Sequence, residues 1–333
     1  MIGTFFTKIF QKTYYLIQRN PRSVGIHTTS KCNLSCDFCY SKNIPGDDVD
    51  WFSVLRQSKR MGVKNIIFLG GEPFCDPELI SYLKYCSKNN MHPIIYTNAF
   101  LIDDEMIAFL AKLKQIELRI KFDSKENLES ISGKGSYEIL IDKIKKLSSF
   151  NISLHIFISK KNYNKIGEII SKVKKLNIPV SFERYMSSGS EIDKSYEISP
   201  EEYNQTLNQI SHDKKHGNGF LLRSMIKGSE CSCYVDAIYI LSDGSAVPCP
   251  MSEKEQSVGN INSLSLKKIW DKYVDLRDEW MKIPKECLNC SYRYLCHGGC
   301  KTHTYRKFRK YDKTDPLCNR KKIPTRLVSK QKL

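Results

Sequence analysis

Between residues 23 and 210 short apolar runs alternate with amphipathic stretches, and this alternation restricts the possible folds more than any other feature. The runs predict strands at 24–28, 65–69, 93–96, 116–122, 153–159 and 180–184. The stretches between and after them predict helices at 51–61, 77–88, 104–114, 137–150, 165–176 and 200–210. Asp76-Pro77-Glu78 reads as a helix start, with a capping side chain, proline in the first turn and a carboxylate near the dipole. Ser199-Pro200-Glu201-Glu202 repeats that logic. Six strand–helix units in succession require a parallel sheet with right-handed crossovers. The predicted class is α/β: an open, partial (β/α)6 barrel related to the TIM barrel, with its chemistry at the C-terminal mouth of the strands.

After about residue 215 helical periodicity fades and cysteines become dense. Apolar runs flanking Ser242-Asp243-Gly244-Ser245 predict a hairpin. The boundary falls within 217–230, giving an N-terminal extension at 1–22, a barrel core at 23–216 and a small cysteine-rich domain with a basic tail at 217–333. In the extension, Phe5, Phe6, Ile9, Phe10, Tyr14, Tyr15 and Ile17 follow a roughly helical period, suited to packing on the main domain, with a lid or membrane-surface helix as the alternatives. Gly133-Lys134-Gly135-Ser136-Tyr137 lacks the spacing of a phosphate loop and reads as the turn before a helix.

Thirteen cysteines, an odd number in C-x-C, C-x2-C and C-x3-C spacings, suit metal clusters better than a disulfide framework. A net charge of +17 raises the question of nucleic acid, but 40 lysines against 13 arginines lack the preferred phosphate fork. An acidic peptide or protein segment is at least as natural a partner, and nucleic-acid binding is not expected. No stretch reaches the roughly 18–20 apolar residues of a membrane span. No signal peptide is evident at the start. The expected location is therefore cytoplasmic.

The first expected strand runs into Cys32-Asn33-Leu34-Ser35-Cys36-Asp37-Phe38-Cys39, a C-x3-C-x2-C triplet. Three thiolates so close on one loop can hold three irons of a cubane cluster, leaving the fourth iron open for chemistry. Taken alone, the triplet also suits zinc or a disulfide remnant. Gly70-Gly71-Glu72-Pro73 follows the second expected strand, where paired glycines permit close backbone approach and the carboxylate can receive an ammonium. Thr97-Asn98-Ala99 and Phe122-Asp123-Ser124 end the next two strands.

In the triplet with Phe38 before its last cysteine, and in GGEP at this spacing, the chain resembles the radical S-adenosylmethionine (SAM) superfamily, whose fold is the partial barrel. That resemblance implies a [4Fe–4S] cluster on Cys32, Cys36 and Cys39. Its open iron chelates SAM, which is cleaved by one electron to a 5′-deoxyadenosyl radical. It further implies that Gly70, Gly71, Glu72 and Pro73 bind the SAM methionine amino group, with Thr97 and Asn98 nearby. Ala99 departs from the glycine that many relatives carry, and Lys121 replaces the small residue of the family's S-x-D-G. Asp123 is either a ribose ligand or a surface-turn aspartate. Ser159 corresponds to a ribose-binding hydroxyl and Arg184 to a partner of the SAM carboxylate, each against the alternative of an ordinary strand-end residue. Cys75, near GGEP, is read as a buried inert thiol, or else a hydrogen donor facing the site. Cys86 lies outside every cluster spacing.

Cys231, Cys233, Gly244-x4-Cys249, Cys287-x2-Cys290-x5-Cys296-x3-Cys300 and Cys318 resemble the SPASM extension of radical SAM proteins, which carries two auxiliary [4Fe–4S] clusters. By that pattern one takes Cys249, Cys300 and Cys231 or Cys233, or both. The other takes Cys287, Cys290, Cys296 and Cys318. Structural zinc is the alternative for the same cysteines.

SPASM proteins mostly modify peptides or proteins, so the resemblance implies a SAM-dependent peptide maturase. A flavodoxin- or ferredoxin-type electron donor and a separate peptide-recognition protein are the accompanying expectations. Pro250 stands where sulfatase-maturing members carry an acidic base, which disfavours that activity. The alternatives are a radical dehydrogenase or rearrangement enzyme acting on a small molecule such as an aminosugar or cofactor precursor, and a non-catalytic zinc or RNA-binding protein.

Overall fold

The computed structural model describes residues 20–318, apart from 43, 45, 47, 48, 188–193, 212–232 and 292. The N-terminal extension up to residue 19, Cys231 and the end of the basic tail lie outside the described residues.

Six strands open the fold: β1 Ser23–His27, β2 Asn65–Leu69, β3 His92–Thr97, β4 Glu117–Lys121, β5 Asn151–Ile158 and β6 Val180–Arg184. Helices follow each in turn: α1 Trp51–Arg60, α2 Leu79–Lys88, α3 Asp104–Leu110, α4 Lys125–Ser132 with α5 Ser136–Lys146, α6 Ile166–Leu176 and α7 Pro200–Ser211. Three short strands, β7 Ala237–Ile240, β8 Ser245–Val247 and β9 Gly259–Asn260, complete one sheet in the order β6-β5-β4-β3-β2-β1-β7-β8-β9. Strands β1 to β7 are parallel to their neighbours, and β7-β8-β9 pair antiparallel. The expected hairpin is present, and its first strand extends the barrel sheet by pairing Ser23–Ile26 with Ala237–Ile240. One sheet thus runs from the barrel into the cysteine-rich part.

Alternation gives the sheet two different faces. Val24, Ile26, Ile66, Phe68, Ile95, Leu118, Ile120, Leu154, Ile156 and Ile158 are fully buried and pack in one core with Leu55, Leu83, Leu140, Ile144 and Val173 from the helices. The opposite face carries a smaller apolar cluster around Ile67, Leu69, Ile94 and Tyr239. Beyond it lie polar side chains, among them Glu117, Arg119, His155 and Glu183.

Local chemistry explains where elements begin. Asp50, Asp103 and Ser124 cap α1, α3 and α4 by accepting backbone N–H groups of Ser53, Met106 and Asn127. Ser199 and Glu202 form a reciprocal capping box at the start of α7, 3.0 and 3.2 Å. At Asp76 the carboxylate takes the Glu78 N–H at 2.9 Å in a local turn, so α2 starts at Leu79, two residues later than expected. Helix α4 was not expected, because its eight residues carry only one buried apolar side chain, Leu128.

The expected loss of helix after residue 215 is corrected by α8, Leu266–Trp280, at 15 residues the longest of the described helices. Its buried stripe of Leu266, Ile269, Trp270, Tyr273, Arg277 and Trp280 has helical spacing, and the Leu266 N–H donates to Gln57 Oε1 on α1 at 2.8 Å. Two short helices, α9 Arg293–Cys296 and α10 Lys301–Phe308, end the fold.

Gly25 marks the closest approach of the two parts of the sheet. A Cβ built there would lie 2.1 Å from the Tyr239 ring. Gly25→Ala is expected to destabilise the protein by about 1–3 kcal/mol through overpacking, read as a lowered midpoint in thermal or urea denaturation.

Candidate active site

The GGEP turn after β2 is hydrogen-bonded directly to the start of the cysteine loop. Gly71 N–H donates to Thr29 O at 2.8 Å and Glu72 N–H to Lys31 O at 2.9 Å. A Cβ on Gly71 would sit 2.3 Å from Lys31 O, and one on Gly70 2.8 Å from Thr29 O, so side chains at either glycine would separate the two loops. Pro73 opens a 3-10 turn to Cys75 and is buried.

Glu72 is 1% exposed and accepts from Thr97 Oγ1 at 2.7 Å, Asn98 N–H at 2.8 Å and Phe74 N–H at 3.3 Å. Burial pushes its carboxyl up to about 7 although all three bonds pull it down. Asn98 Nδ2 reaches Asn33 Oδ1 inside the cysteine triplet at 2.8 Å. Thr97, Asn98, Glu72 and the cysteine loop therefore form one connected unit. Ala99 completes it with φ of 64° and full burial, the conformation for which glycine is the natural choice. Cys86 is fully buried in α2, and Cys75, partly exposed, faces Asn33 of the triplet.

None of the described cysteines is in a disulfide. Burial, with the charges of Glu72, Cys36 and Cys39, pushes the Cys32 thiol up to about 11, although the Leu34 N–H on its sulfur pulls the other way. Three thiolates on this loop thus need positive charge among them, which the irons of a cluster supply. The donor set fits that group, although among the described residues no three cysteine, histidine or acidic side chains close on a single ion.

Beside Cys36 lies a cavity of about 350 Å³. It brings together Asp123 and Ser159, the two residues expected for the ribose, with Phe38 of the triplet and with Lys121, Tyr185 and Tyr196. Asp123 is buried, not a surface-turn residue. Its Oδ1 accepts from Ser124 N–H, Asn162 Nδ2 and Asn127 Nδ2 at 2.7, 2.9 and 3.3 Å, leaving Oδ2 for the cavity. Asn162, with no exposure, links the two ribose candidates, since its Oδ1 takes the Ser159 N–H at 2.9 Å. The buried Tyr185 hydroxyl has no hydrogen-bond partner among the described residues. Lys121, noted in the sequence only as a departure from S-x-D-G, was missed as a site residue, as were Tyr185, Tyr196 and Asn162, which no local motif distinguishes. A larger groove, about 460 Å³, opens among Leu113, Ile116 and Phe150 at the starts of the strands and holds none of the expected residues.

Arg184 is not brought to this cavity's lining. Its Nη1 meets Asp315 Oδ2 at 2.5 Å, with the Arg184 side chain 13% exposed and that of Asp315 5% exposed, and its guanidinium lies over the Tyr203 ring. Burial alone would push Asp315 up, but the Arg184 charge, helped by His303, holds its carboxyl well below the usual carboxylate range. Asp315 also accepts the Cys300 N–H at 2.8 Å and the Leu317 N–H at 3.0 Å, and its carbonyl takes the Cys318 N–H at 2.9 Å. Cys287 Sγ lies 3.4 Å from Thr314 Oγ1, and Cys290 N–H bonds Cys287 O at 3.0 Å. Gly299 N–H closes on Cys296 O at 2.9 Å.

Between the triplet and the cysteine-rich part lies a cluster of polar side chains. The Tyr40 phenol is pushed up by burial, then by the neighbouring charges of Cys39, Cys249, Tyr96 and Glu183. His155 Nδ1 lies 3.2 Å from Glu183 Oε1, and Arg119 spans Tyr96 Oη at 2.7 Å and Glu117 at 2.6 Å. Cys233 Sγ approaches Tyr239 Oη at 3.7 Å.

Residues 26–173 match the radical SAM superfamily, and residues 231–291 match the SPASM iron–sulfur cluster-binding domain. The chain carries a radical SAM domain followed by a SPASM module. Over 90% of each chain it is 22% identical to the PqqA peptide cyclase of Gluconobacter oxydans. It is likewise 22% identical to the AdoMet-dependent heme synthase of Methanosarcina barkeri, covering 90% of this chain and 96% of that one. Streptococcus suis SuiB bound to S-adenosylmethionine superposes with a TM-score of 0.72 at 21% identity, over 93% of this chain and 80% of that one.

In this radical SAM/SPASM chain Asp315 is expected to be the most sensitive position outside the cysteines. Asp315→Ala leaves a buried guanidinium uncompensated and should cost about 3–5 kcal/mol, measured by denaturation of the isolated protein.

Proposed function

We propose that the enzyme uses SAM-derived radical chemistry on a carbon of a peptide or protein substrate: the carbon gives up one hydrogen atom to the radical, then one electron to an auxiliary cluster and one proton to a base as the new bond forms, a net loss of two hydrogens as in a cross-link. The observation that carries this reading is the cavity beside Cys36, where Phe38, Asp123, Ser159 and the unmatched Tyr185 hydroxyl converge. A [4Fe–4S] cluster with SAM on its open iron supplies, when bound, a 5′-deoxyadenosyl radical that abstracts hydrogen.

The chain's own residues have separable roles in this proposal. Cys32, Cys36 and Cys39 hold the cluster, and Glu72 receives the SAM ammonium. Asp123 Oδ2 and Ser159 hold the ribose, with Asn162 fixing both. Arg184, committed to Asp315, orders the auxiliary module instead of meeting the SAM carboxylate. Cys233, Cys249 and Cys300 with Cys231, and Cys287, Cys290, Cys296 and Cys318, hold the auxiliary clusters. Glu183, with 39% of its side chain exposed and His155 behind it, is placed to take the proton released as the new bond forms.

A peptide substrate is supported by the relative named PqqA peptide cyclase and by SuiB, whose structure with precursor peptide SuiA also superposes, at a TM-score of 0.71. The heme synthase relative keeps a small-molecule substrate as the second reading. Electrons enter from a flavodoxin- or ferredoxin-type donor, and the peptide arrives either alone or on a separate protein. No helix among the described residues is long and apolar enough to cross a membrane.

Anaerobic co-expression with a short open reading frame beside the gene, followed by intact-mass measurement, tests the substrate. Loss of two hydrogens that is absent with Cys36→Ala supports a cross-linking or dehydrogenating maturase. An unchanged mass, also silent in deuterated solvent, favours the small-molecule reading. Cys36→Ala is also expected to abolish formation of 5′-deoxyadenosine from SAM and dithionite, read by chromatography.

Glu72 gives the binding step a pH signature. Its carboxyl is raised to about 7, so below that pH it is largely protonated and offers an ammonium no counter-charge. SAM affinity should therefore rise between about pH 6 and 7.5 in equilibrium dialysis. Glu72→Gln should bind weakly and lose that rise. The folding sign is opposite: the buried acid favours the folded state at low pH, and that contribution is lost as pH climbs through about 7.

A further inference from the structure

Lys121 ends β4 where the family pattern has a small residue, and it points at the cysteine loop. Its Nζ lies 3.5 Å from Cys36 Sγ and 4.4 Å over the Phe38 ring. No carboxylate forms an ion pair with it within 4.0 Å among the described residues, and its charge lowers the Asp123 carboxyl that burial raises. Phe38 in turn packs against Tyr196 at 4.9 Å and edge-on to Tyr185 at 6.1 Å, so the ring under the ammonium is fixed in place. The stem lies between the wall of the nucleoside cavity and the thiolate loop.

A cation held against one thiolate of a cluster favours the state with more negative charge. Reduction adds one electron, so it is eased both by this charge and by an N–H donated to sulfur. We propose that Lys121 is a positioning residue for redox tuning: its ammonium raises the reduction potential of the cluster held by Cys32, Cys36 and Cys39. The step is a single electron taken from a low-potential donor of the flavodoxin, ferredoxin or dithionite class, with no bond made or broken. The inference rests on the cluster assignment above and goes beyond it, since that assignment needs only the three cysteines.

The test is potentiometric titration of the reconstituted, full-length protein followed by electron paramagnetic resonance, using the signal that disappears in the Cys32/Cys36/Cys39→Ala variant. Lys121→Met should need a more negative potential, displaced by at least about tenfold in the redox equilibrium, or about 59 mV for one electron. Lys121→Arg should keep the wild-type value, and signals of the auxiliary clusters should not move. Should Lys121→Met fail to take up iron, Lys121→Gln makes the same comparison. A wild-type midpoint in an iron-replete Lys121→Met or Lys121→Gln protein overturns the proposal, as does an equal displacement in Lys121→Arg, which would mean packing and not charge. Absence of the signal from wild-type protein instead overturns the cluster assignment, so the two failures are distinguishable.

Discussion

The contact between Gly71 and Lys31 is the constraint on which the site depends. A strand end and a cysteine loop are brought so close that the Lys31 carbonyl occupies the space a Cβ would need. Two backbone bonds then lock the approach, from Gly71 and Glu72 to Thr29 and Lys31. Because Glu72 is also tied to Thr97 and Asn98, and Asn98 to Asn33, the ends of β1, β2 and β3 hold the loop from three sides. A flexible thiol loop becomes a preorganised one without help from apolar packing, which the exposed Cys32 could not supply.

The same parallel alignment sorts the chemistry by face and by end. Side chains turned toward the helices are apolar and fully buried, and they supply the hydrophobic stabilisation. The opposite face can then carry polar pairs such as the Arg119–Glu117 ion pair and the His155–Glu183 contact without weakening that core. Position along each strand sets the role. On β4 Glu117 and Arg119 pair within the sheet, while Lys121, two residues on, reaches the cysteine loop.

The strands and the cysteine loop were legible because their signals are local. Period-two apolar runs and short backbone motifs need only neighbouring residues to be read, and β2 and β6 fall on the expected residues. Helix α4 was hidden because its one buried leucine gives no period, and its Ser124 cap reads as part of the preceding Asp-Ser turn. Helix α8 had a readable stripe, but it lies between dense cysteines that drew the assignment toward loops. Arg184 shows the deeper limit. A cation at a strand end has the same local sequence whether it faces a ligand or an acid, and its partner Asp315 is 131 residues away. Asn162 and Tyr185 are likewise ordinary polar residues until the fold converges on them.

The Arg184–Asp315 pair also changes how the two halves of the enzyme relate. A buried ion pair is weak evidence for stability, because desolvation offsets most of the attraction. Its stronger effect is geometric: one Asp315 oxygen receives both the barrel's guanidinium and the Cys300 N–H of the cysteine-rich module. Displacing the barrel strand end would therefore move a cysteine at the same time, and neither group can relax alone. Lys301, with no exposure, adds to this by donating to Lys282 O and Tyr311 O at 3.1 Å, and Arg306 does so by bonding Met186 O and Met251 O. The buried Lys301 and the half-buried Arg306, both seated on carbonyls, thus add polar order to a module that already has the apolar stripe of α8, and they register its cysteines against the mouth of the barrel.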